Sequence, residues 1–172
     1  ERFIRAVLPA SVEETALRIY SRSKRKIEFW VRTQILLSLI MMVMVWVALS
    51  ILGVRHAFLL GFIAGLLEIV PFVGPIFAGG AAVLSAFATS SFTLAIYTLL
   101  VFLVLQQIEG HILVPLLFKR SVGLHPVIVI ISLLIGIQVA GFIGALIAVP
   151  GAAVFQEIVE DWSGKKKPRE AV

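Results

Sequence analysis

Two carboxylates are the residues best suited to do chemistry in this sequence, because they stand alone in a long apolar stretch. Residues 57–118 contain no Lys, Arg or Asp, and their acidic residues are Glu68 and Glu109. Placing a carboxylate deep in apolar surroundings costs about 2.5–3.5 kcal/mol on membrane-insertion scales. Glu68 is therefore expected to face a cavity or a polar partner, or to be protonated, and to bind an ion or a polar solute. The alternative is a glutamate at the end of a short helix, near water.

Helix-breaking residues follow Glu68 directly. Pro71, Gly74 and Pro75 form the segment PFVGP, which begins three residues after this carboxylate. Proline removes a backbone donor and stops a helix, so backbone groups are freed beside Glu68. Irregular backbone at membrane depth is tolerated only where protein or water covers it. These residues therefore predict a covered break that can help to hold an ion or a polar solute.

A second polar cluster lies around Glu109. Its members are Gln106, Gln107, Glu109 and His111. Gln106 and Glu109 are three residues apart, and Gln107 and His111 are four apart, so each pair shares one face of a helix. The cluster could line a polar path or bridge to the Glu68 segment, and a histidine beside a carboxylate can relay protons near neutral pH. The alternative is that the helix has already left the membrane there.

Composition defines the class of protein that must position these residues. Of the 172 residues, 60% are hydrophobic and 15% are charged, and the mean hydropathy is +1.05. Soluble domains carry roughly 25% charged residues, so this chain is expected to be an all-α, polytopic membrane protein. The absence of cysteine excludes disulfides, thiolate metal sites and a thiol nucleophile. Because HExxH, GxSxG and nucleotide-loop motifs are also absent, we expect no enzyme activity, no cofactor and no ATP-driven transport.

Apolar runs predict the spans. About 20 apolar residues cross the hydrocarbon core, and residues 33–54 and 92–114 meet that length. Residues 57–88 and 125–160 are instead each broken near the middle, which predicts re-entrant segments or tight helical hairpins. Gly141, Gly144 and Pro150 are the expected structural hinges of the second hairpin. Together these segments form a predicted transmembrane domain over residues 31–162.

The charged ends frame this domain. Residues 1–30 include an amphipathic helix, whose basic face is expected either to contact anionic lipid headgroups or to be a solvated connector. Residues 163–172 form a basic tail. The positive-inside rule places both ends and Lys119/Arg120 on the cytoplasmic side. The basic residues lie outside the apolar body, so lipid rather than nucleic acid is the expected partner.

The motifs together resemble one known family, the autoinducer-2 exporter (AI-2E) family of bacterial and archaeal membrane proteins. The resemblance covers residues 10–162. The matching segments are Arg32-Thr33-Gln34, Glu68 to Pro75, Gln106-Gln107-x-Glu109 with Pro115, Val122 to Pro126, and Gly141-x-x-Gly144 with Val149-Pro150. The resemblance implies a multi-pass secondary carrier of the plasma (inner) membrane, longer than this chain, which begins at Glu1. It also implies export of a signalling furanone, or exchange of sodium or lithium for protons.

Three functional readings follow. An antiporter would bind a monovalent cation and a proton in competition at Glu68, whereas an exporter would hydrogen-bond a small polar solute through the glutamines and the backbone. A membrane scaffold without transport activity would depend on the charged ends and not on Glu68. Small residues at 79–82, 136, 141 and 144 predict tight helix contacts, within or between chains. A homo-oligomer is expected, and a channel-like oligomer is the alternative to a carrier.

Overall fold

The computed structural model describes residues 10–71, 73–89, 91–118 and 126–164. All regular secondary structure in these ranges is helical, which confirms the all-α fold that the composition predicts. The elements are α1 (Ala10–Ile51), α2 (Ala57–Leu67), α3 (Val73–Thr89), α4 (Phe92–Ile108), a π-helical turn (Glu109–Leu113), α5 (Val114–Phe118) and α6 (Pro126–Gly164).

Three described segments are long and apolar enough to cross a membrane. They are Glu13–Ile51, Phe92–Phe118 and Val127–Trp162. Together with the composition they identify a multi-pass membrane protein. The amphipathic stretch and the first span belong to one helix, α1, which has 42 residues. About 20 residues cross the hydrocarbon core, so α1 has more residues than one crossing needs.

The segment that contains Glu68 is interrupted between α2 and α3. α2 ends at Leu67, and a turn that begins at Glu68 and includes Pro71 follows it. Gly74 and Pro75 are already in the first turn of α3. A proline is tolerated there because the first N–H groups of a helix have no intrahelical acceptor. Pro71 therefore belongs to the interruption itself, whereas Pro75 belongs to the start of the next helix.

The last long helix is also broken. Inside α6, Ala140 (φ −139°, ψ 22°) and Gly141 (φ 56°, ψ −134°) are non-helical. Residues eight apart in a straight helix are about 12 Å apart. The backbones of Gly136 and Gly144 are nevertheless in contact, and a Cβ on either glycine would collide with the carbonyl group of the other. α6 is therefore a tight hairpin of two helices. Pro150 lies within the second of them.

The chain divides into two compact units, one of residues 1–30 and 121–172 and the other of residues 31–120. The second unit has an apolar core built by α1, α2, α3 and α4, with Leu37, Val45, Ala82 and Phe102 among its buried members. Residues 1–9, 119–125 and 165–172, which carry most of the basic clusters, lie outside the described residues. The membrane orientation, the depth of each hairpin and the domain limits stay predictions.

Helices α1 and α2 approach closely in the second unit. A Cβ built on Gly61 would lie 2.7 Å from the Trp46 Cβ atom, and one on Gly65 would lie 2.8 Å from the Ser38 carbonyl oxygen. Two glycines four residues apart allow this backbone-to-backbone packing, as small residues do at membrane helix interfaces. The pairing runs antiparallel, because the Trp46 ring also meets Phe58 edge-on at 5.5 Å. This interface carries Glu68 at its end.

Candidate functional site

Glu68 is buried at the end of α2. Only 1% of the residue is exposed, and one carboxyl oxygen, Oε1, has no hydrogen-bond partner. Its backbone N–H still completes α2 by donating to the Ala64 carbonyl oxygen at 2.9 Å. A buried acceptor without a partner is rare because it loses its hydrogen bonds to water and forms none with the protein. The Glu68 carboxyl group is therefore poised for a ligand, which can be a proton or a cation.

Glu109 is the second carboxyl group of the site. The structure brings it near enough to Glu68 for the two carboxyl groups to influence each other electrostatically. Glu109 also accepts a hydrogen bond from Gln106 Nε2 at 3.2 Å. The structure thus joins Glu68 to two members of the polar cluster, Gln106 and Glu109, that the sequence placed on one helix face.

A π-helical turn positions Glu109. Pro115 has no N–H and its ring crowds the carbonyl group four residues earlier, so a regular α-helix cannot continue through it without strain. The chain widens instead, and the Val114 N–H donates to the Glu109 carbonyl oxygen, five residues back. Such turns often occur at functional sites because they redirect side chains. Pro115 therefore bends the polar end of the span without ending it.

Two further polar residues of this unit were not among the predicted site residues. Gln34, 3% exposed, donates from Nε2 to the Glu68 carbonyl oxygen at 2.6 Å. Ser38, one turn further along α1, is buried, and its Oγ atom has no hydrogen-bond partner. A signal was present in the sequence, because positions 34 and 38 share a helix face inside an apolar span. The long-range bond to Glu68 has no sequence signature.

The other predicted site residues have different surroundings. Gln107 and His111 are exposed, and the His111 ring contacts the backbone carbonyl oxygen of Gln107 at 3.1 Å. Gly74 approaches the break so closely that a Cβ there would lie 2.6 Å from the Glu68 nitrogen atom. Of the expected hinges, Gly141 lies at the break in α6 and Gly144 in its close contact, whereas Pro150 lies away from both.

The pair of carboxyl groups determines what the site can do. Two neighbouring carboxylates in apolar surroundings repel each other strongly, so they must share a proton or bind a cation. The end of α2 adds to the negative potential, because the last carbonyl groups of a helix carry partial negative charge. Interrupted membrane helices use such ends and unwound carbonyl groups to hold sodium ions or protons. The arrangement is suited to cations and not to anions.

The described residues around this pair form no multi-ligand metal centre. Within the described ranges, no group of three or more His, Cys, Asp or Glu residues could hold a metal ion. An apolar groove of about 620 Å³ lies elsewhere in the same unit, and Ala48, Leu94 and Leu105 are among its lining residues. Glu68 does not line this groove, which resembles a surface for lipid chains more than a binding site for a polar solute.

The other unit contains a separate network of ion pairs. Lys26 binds the buried Glu157 and lies 3.9 Å from Glu160, while Arg18 lies 3.9 Å from Asp161. These contacts join the amphipathic part of α1 to the end of α6. Two of the bases that were expected to face lipid headgroups are therefore directed at acidic residues of the same unit. Lipid contact stays a prediction.

Comparison with known proteins identifies related sequences. The family described as AI-2E family transporter matches residues 1–164. The proposed transport protein YrrI of Bacillus subtilis (strain 168) is 34% identical over 127 residues, covering 74% of this chain and 36% of the relative. The proposed permease PerM of Escherichia coli (strain K12) is 26% identical over 163 residues, covering 92% of this chain and 45% of the relative. No solved structure matches significantly.

A third relative is also described as a transport protein and is also matched over part of its length. The proposed transport protein sll0060 of Synechocystis is 36% identical over 118 residues, covering 67% of this chain and 33% of that protein. The chain spans between a third and a half of the length of these relatives.

Proposed function

The chain belongs to the AI-2E transporter family, and we propose that it forms part of a secondary transporter that exchanges a monovalent cation for protons. The observation that carries this proposal is the buried Glu68 carboxyl group, whose Oε1 atom has no hydrogen-bond partner, near Glu109 in an apolar helical unit. The names of the relatives, which refer to transport or to a permease, support the same general role.

Charge explains why such a pair favours exchange. With one proton, the pair carries a single negative charge and repulsion between the carboxyl groups is relieved. A sodium or lithium ion supplies the same single positive charge, so cation and proton compete for the pair instead of binding together. One change of access then carries the bound cation across the membrane, and the return change carries the proton in the opposite direction.

The surrounding groups have distinct roles in this proposal. The unpartnered Oε1 atom of Glu68 is the first ligand, and Glu109, held by Gln106, is the second. Pro71, Gly74 and Pro75 keep the helix interrupted, so backbone oxygen atoms near the end of α2 can complete the coordination. Gln107 and His111, which are exposed on the same helix, line the route between this pair and the surface.

Proton movement in proteoliposomes tests the proposal. The intact protein is reconstituted with a pH-sensitive dye inside the vesicles, and sodium or lithium chloride is added outside. Wild type should move protons in response, and Glu68→Gln, which keeps size and polarity but not the charge, should lower the rate at least about a hundredfold. Glu28→Gln is the matched control, because Glu28 is an exposed glutamate paired with Lys24.

Two outcomes would contradict the exchanger. If wild type shows no response to either cation, then export of a small polar solute becomes the leading explanation for this family member. If Glu68→Gln responds like Glu28→Gln, then the carboxyl pair is not the site, as a membrane scaffold without transport activity would also predict.

A further inference from the structure

A single side chain of α1 is bonded to the backbone of the break beside Glu68. Gln34 Nε2 donates to the Glu68 carbonyl oxygen at 2.6 Å, across 34 residues of sequence. Both residues are almost completely buried, with 3% of Gln34 and 1% of Glu68 exposed. Buried hydrogen bonds of this kind are stronger than exposed ones, because water does not compete for either group. The bond therefore ties the first span to the residue at which α2 ends.

The opposite side of the same peptide segment is also restrained. A Cβ atom on Gly74 would lie 2.6 Å from the Glu68 nitrogen atom and 2.6 Å from the Leu67 carbonyl carbon. The start of α3 thus packs directly on the end of α2. Between Gln34 on its carbonyl group and Gly74 on its amide side, the Glu68 backbone has little freedom to move or rotate.

We propose that Gln34 is a positioning residue for cation binding: its amide fixes the Glu68 carbonyl group and thereby directs the carboxyl group towards Glu109. The inference rests on the proposed exchange function, since it assigns a role within the same site. Gln34 itself need not touch the ion. Its effect is geometric: Gln34 holds the peptide plane after Glu68 and Gly74 packs against the plane before it, and the two planes together set the direction of the Cα–Cβ bond.

Loss of this hydrogen bond should weaken cation binding more than it slows transport at saturation. The ion needs both carboxyl groups at once, and a shift of about 1 Å in one ligand is enough to impair such a site. The change of access depends on helix movements that Gln34 does not control. Removing the donor should therefore raise the apparent KM for sodium about tenfold and change the maximal rate less than about twofold.

The test uses a variant of equal length without a donor, Gln34→Met, in the intact protein. Thr98→Val is the matched control, since Thr98 also is buried and also donates from its side chain to a backbone carbonyl group, that of Leu94 at 2.9 Å. Thr98 has no place in the site. Sodium-driven proton movement gives KM and the maximal rate for each protein, and thermal unfolding checks that each one is folded.

A second readout does not depend on transport. Dicyclohexylcarbodiimide modifies protonated carboxyl groups in apolar surroundings, and mass spectrometry measures its reaction at Glu68. Sodium should slow this reaction in wild type and in Thr98→Val at the same concentration, whereas Gln34→Met should need about tenfold more sodium for equal protection. Equal protection in Gln34→Met and wild type would overturn the positioning role even if exchange is observed.

A second variant covers the case in which Gln34→Met does not fold. Gln34→Glu keeps the length and can donate to the carbonyl group only while protonated. The measured quantity is the ratio of the sodium concentration that this variant needs for protection to the concentration that wild type needs at the same pH. This ratio should be above one at pH 8 and should fall as the pH is lowered. A ratio that is constant with pH would contradict the role. Protection of wild-type Glu68 by sodium without proton movement would instead contradict the exchange function alone.

Discussion

At the scale of single residues, the site depends on two carboxyl groups and on one glycine. The glycine allows the start of α3 to approach the backbone at the end of α2. Glu68 is buried without a partner for Oε1, and Glu109 is half-buried and bound by Gln106. Gly74 touches the backbone that carries Glu68. A carboxyl group can be inferred to be functional from its surroundings in the sequence, but a requirement for a close backbone approach cannot.

Gly74 gives a prediction at this scale. Gly74→Ala places a methyl group about 2.6 Å from the Glu68 nitrogen atom, which is inside the contact limit. Overpacking of this kind costs about 1–3 kcal/mol, so the thermal midpoint of the purified intact protein should fall. Gly80→Ala is the control, because the same helix has open space at Gly80. Without a clash, alanine should be neutral or stabilising there, by up to about 1 kcal/mol.

An equal or higher midpoint for Gly74→Ala than for Gly80→Ala would show that α3 does not press on the end of α2.

At the scale of elements, helix interruptions arise by different means in three places. Pro71 lies in the turn between α2 and α3, Pro115 widens its helix into a π-helical turn, and Gly141 reverses α6 with a positive φ. Only the last requires the conformational freedom of glycine. Two prolines that the sequence marks as similar breakers behave differently, since Pro75 begins a helix and Pro150 lies inside one.

The hairpin in α6 depends on contact between Gly136 and Gly144. Gly144→Ala adds a methyl group that collides with the Gly136 carbonyl group, so the two halves of α6 must separate. The variant should unfold at a clearly lower concentration of sodium dodecyl sulfate than wild type, consistent with a cost of about 1–3 kcal/mol. Gly151→Ala, in the same helix but with nothing near its added methyl group, should not. Equal midpoints for both variants would mean that the halves do not pack through these glycines.

At the scale of the whole molecule, composition was sufficient to predict the membrane class and the all-helical fold. The apolar runs also predicted where long helices lie, because period and length are local properties of the chain. The amphipathic stretch and the first span were predicted as separate elements because their patterns differ, although α1 contains no proline or glycine that would end a helix between them. It also gave no sign of the Lys26–Glu157 pair, whose members are far apart in sequence.

The candidate site was predictable only where it depends on local sequence. Glu68 and Glu109 stand out because a lone carboxylate in an apolar stretch is costly wherever the chain folds. Their contact, and the bond from Gln34, depend on how α1, α2 and α4 pack, and packing is set by many weak contacts that leave no local pattern. Gln107 and His111 also belong to the predicted cluster, but both are exposed, and the contact that the structure gives His111 is with the Gln107 backbone.

The most direct test of the central claim is whether cation binding displaces a proton from the Glu68–Glu109 pair. The purified intact protein, in weakly buffered detergent solution near neutral pH, is titrated with sodium or lithium chloride while the released protons are measured. Wild type and Glu28→Gln should release up to about one proton for each cation bound. Glu68→Gln should release none. Cation binding without proton release in wild type, or the same release in Glu68→Gln, would contradict exchange at this pair.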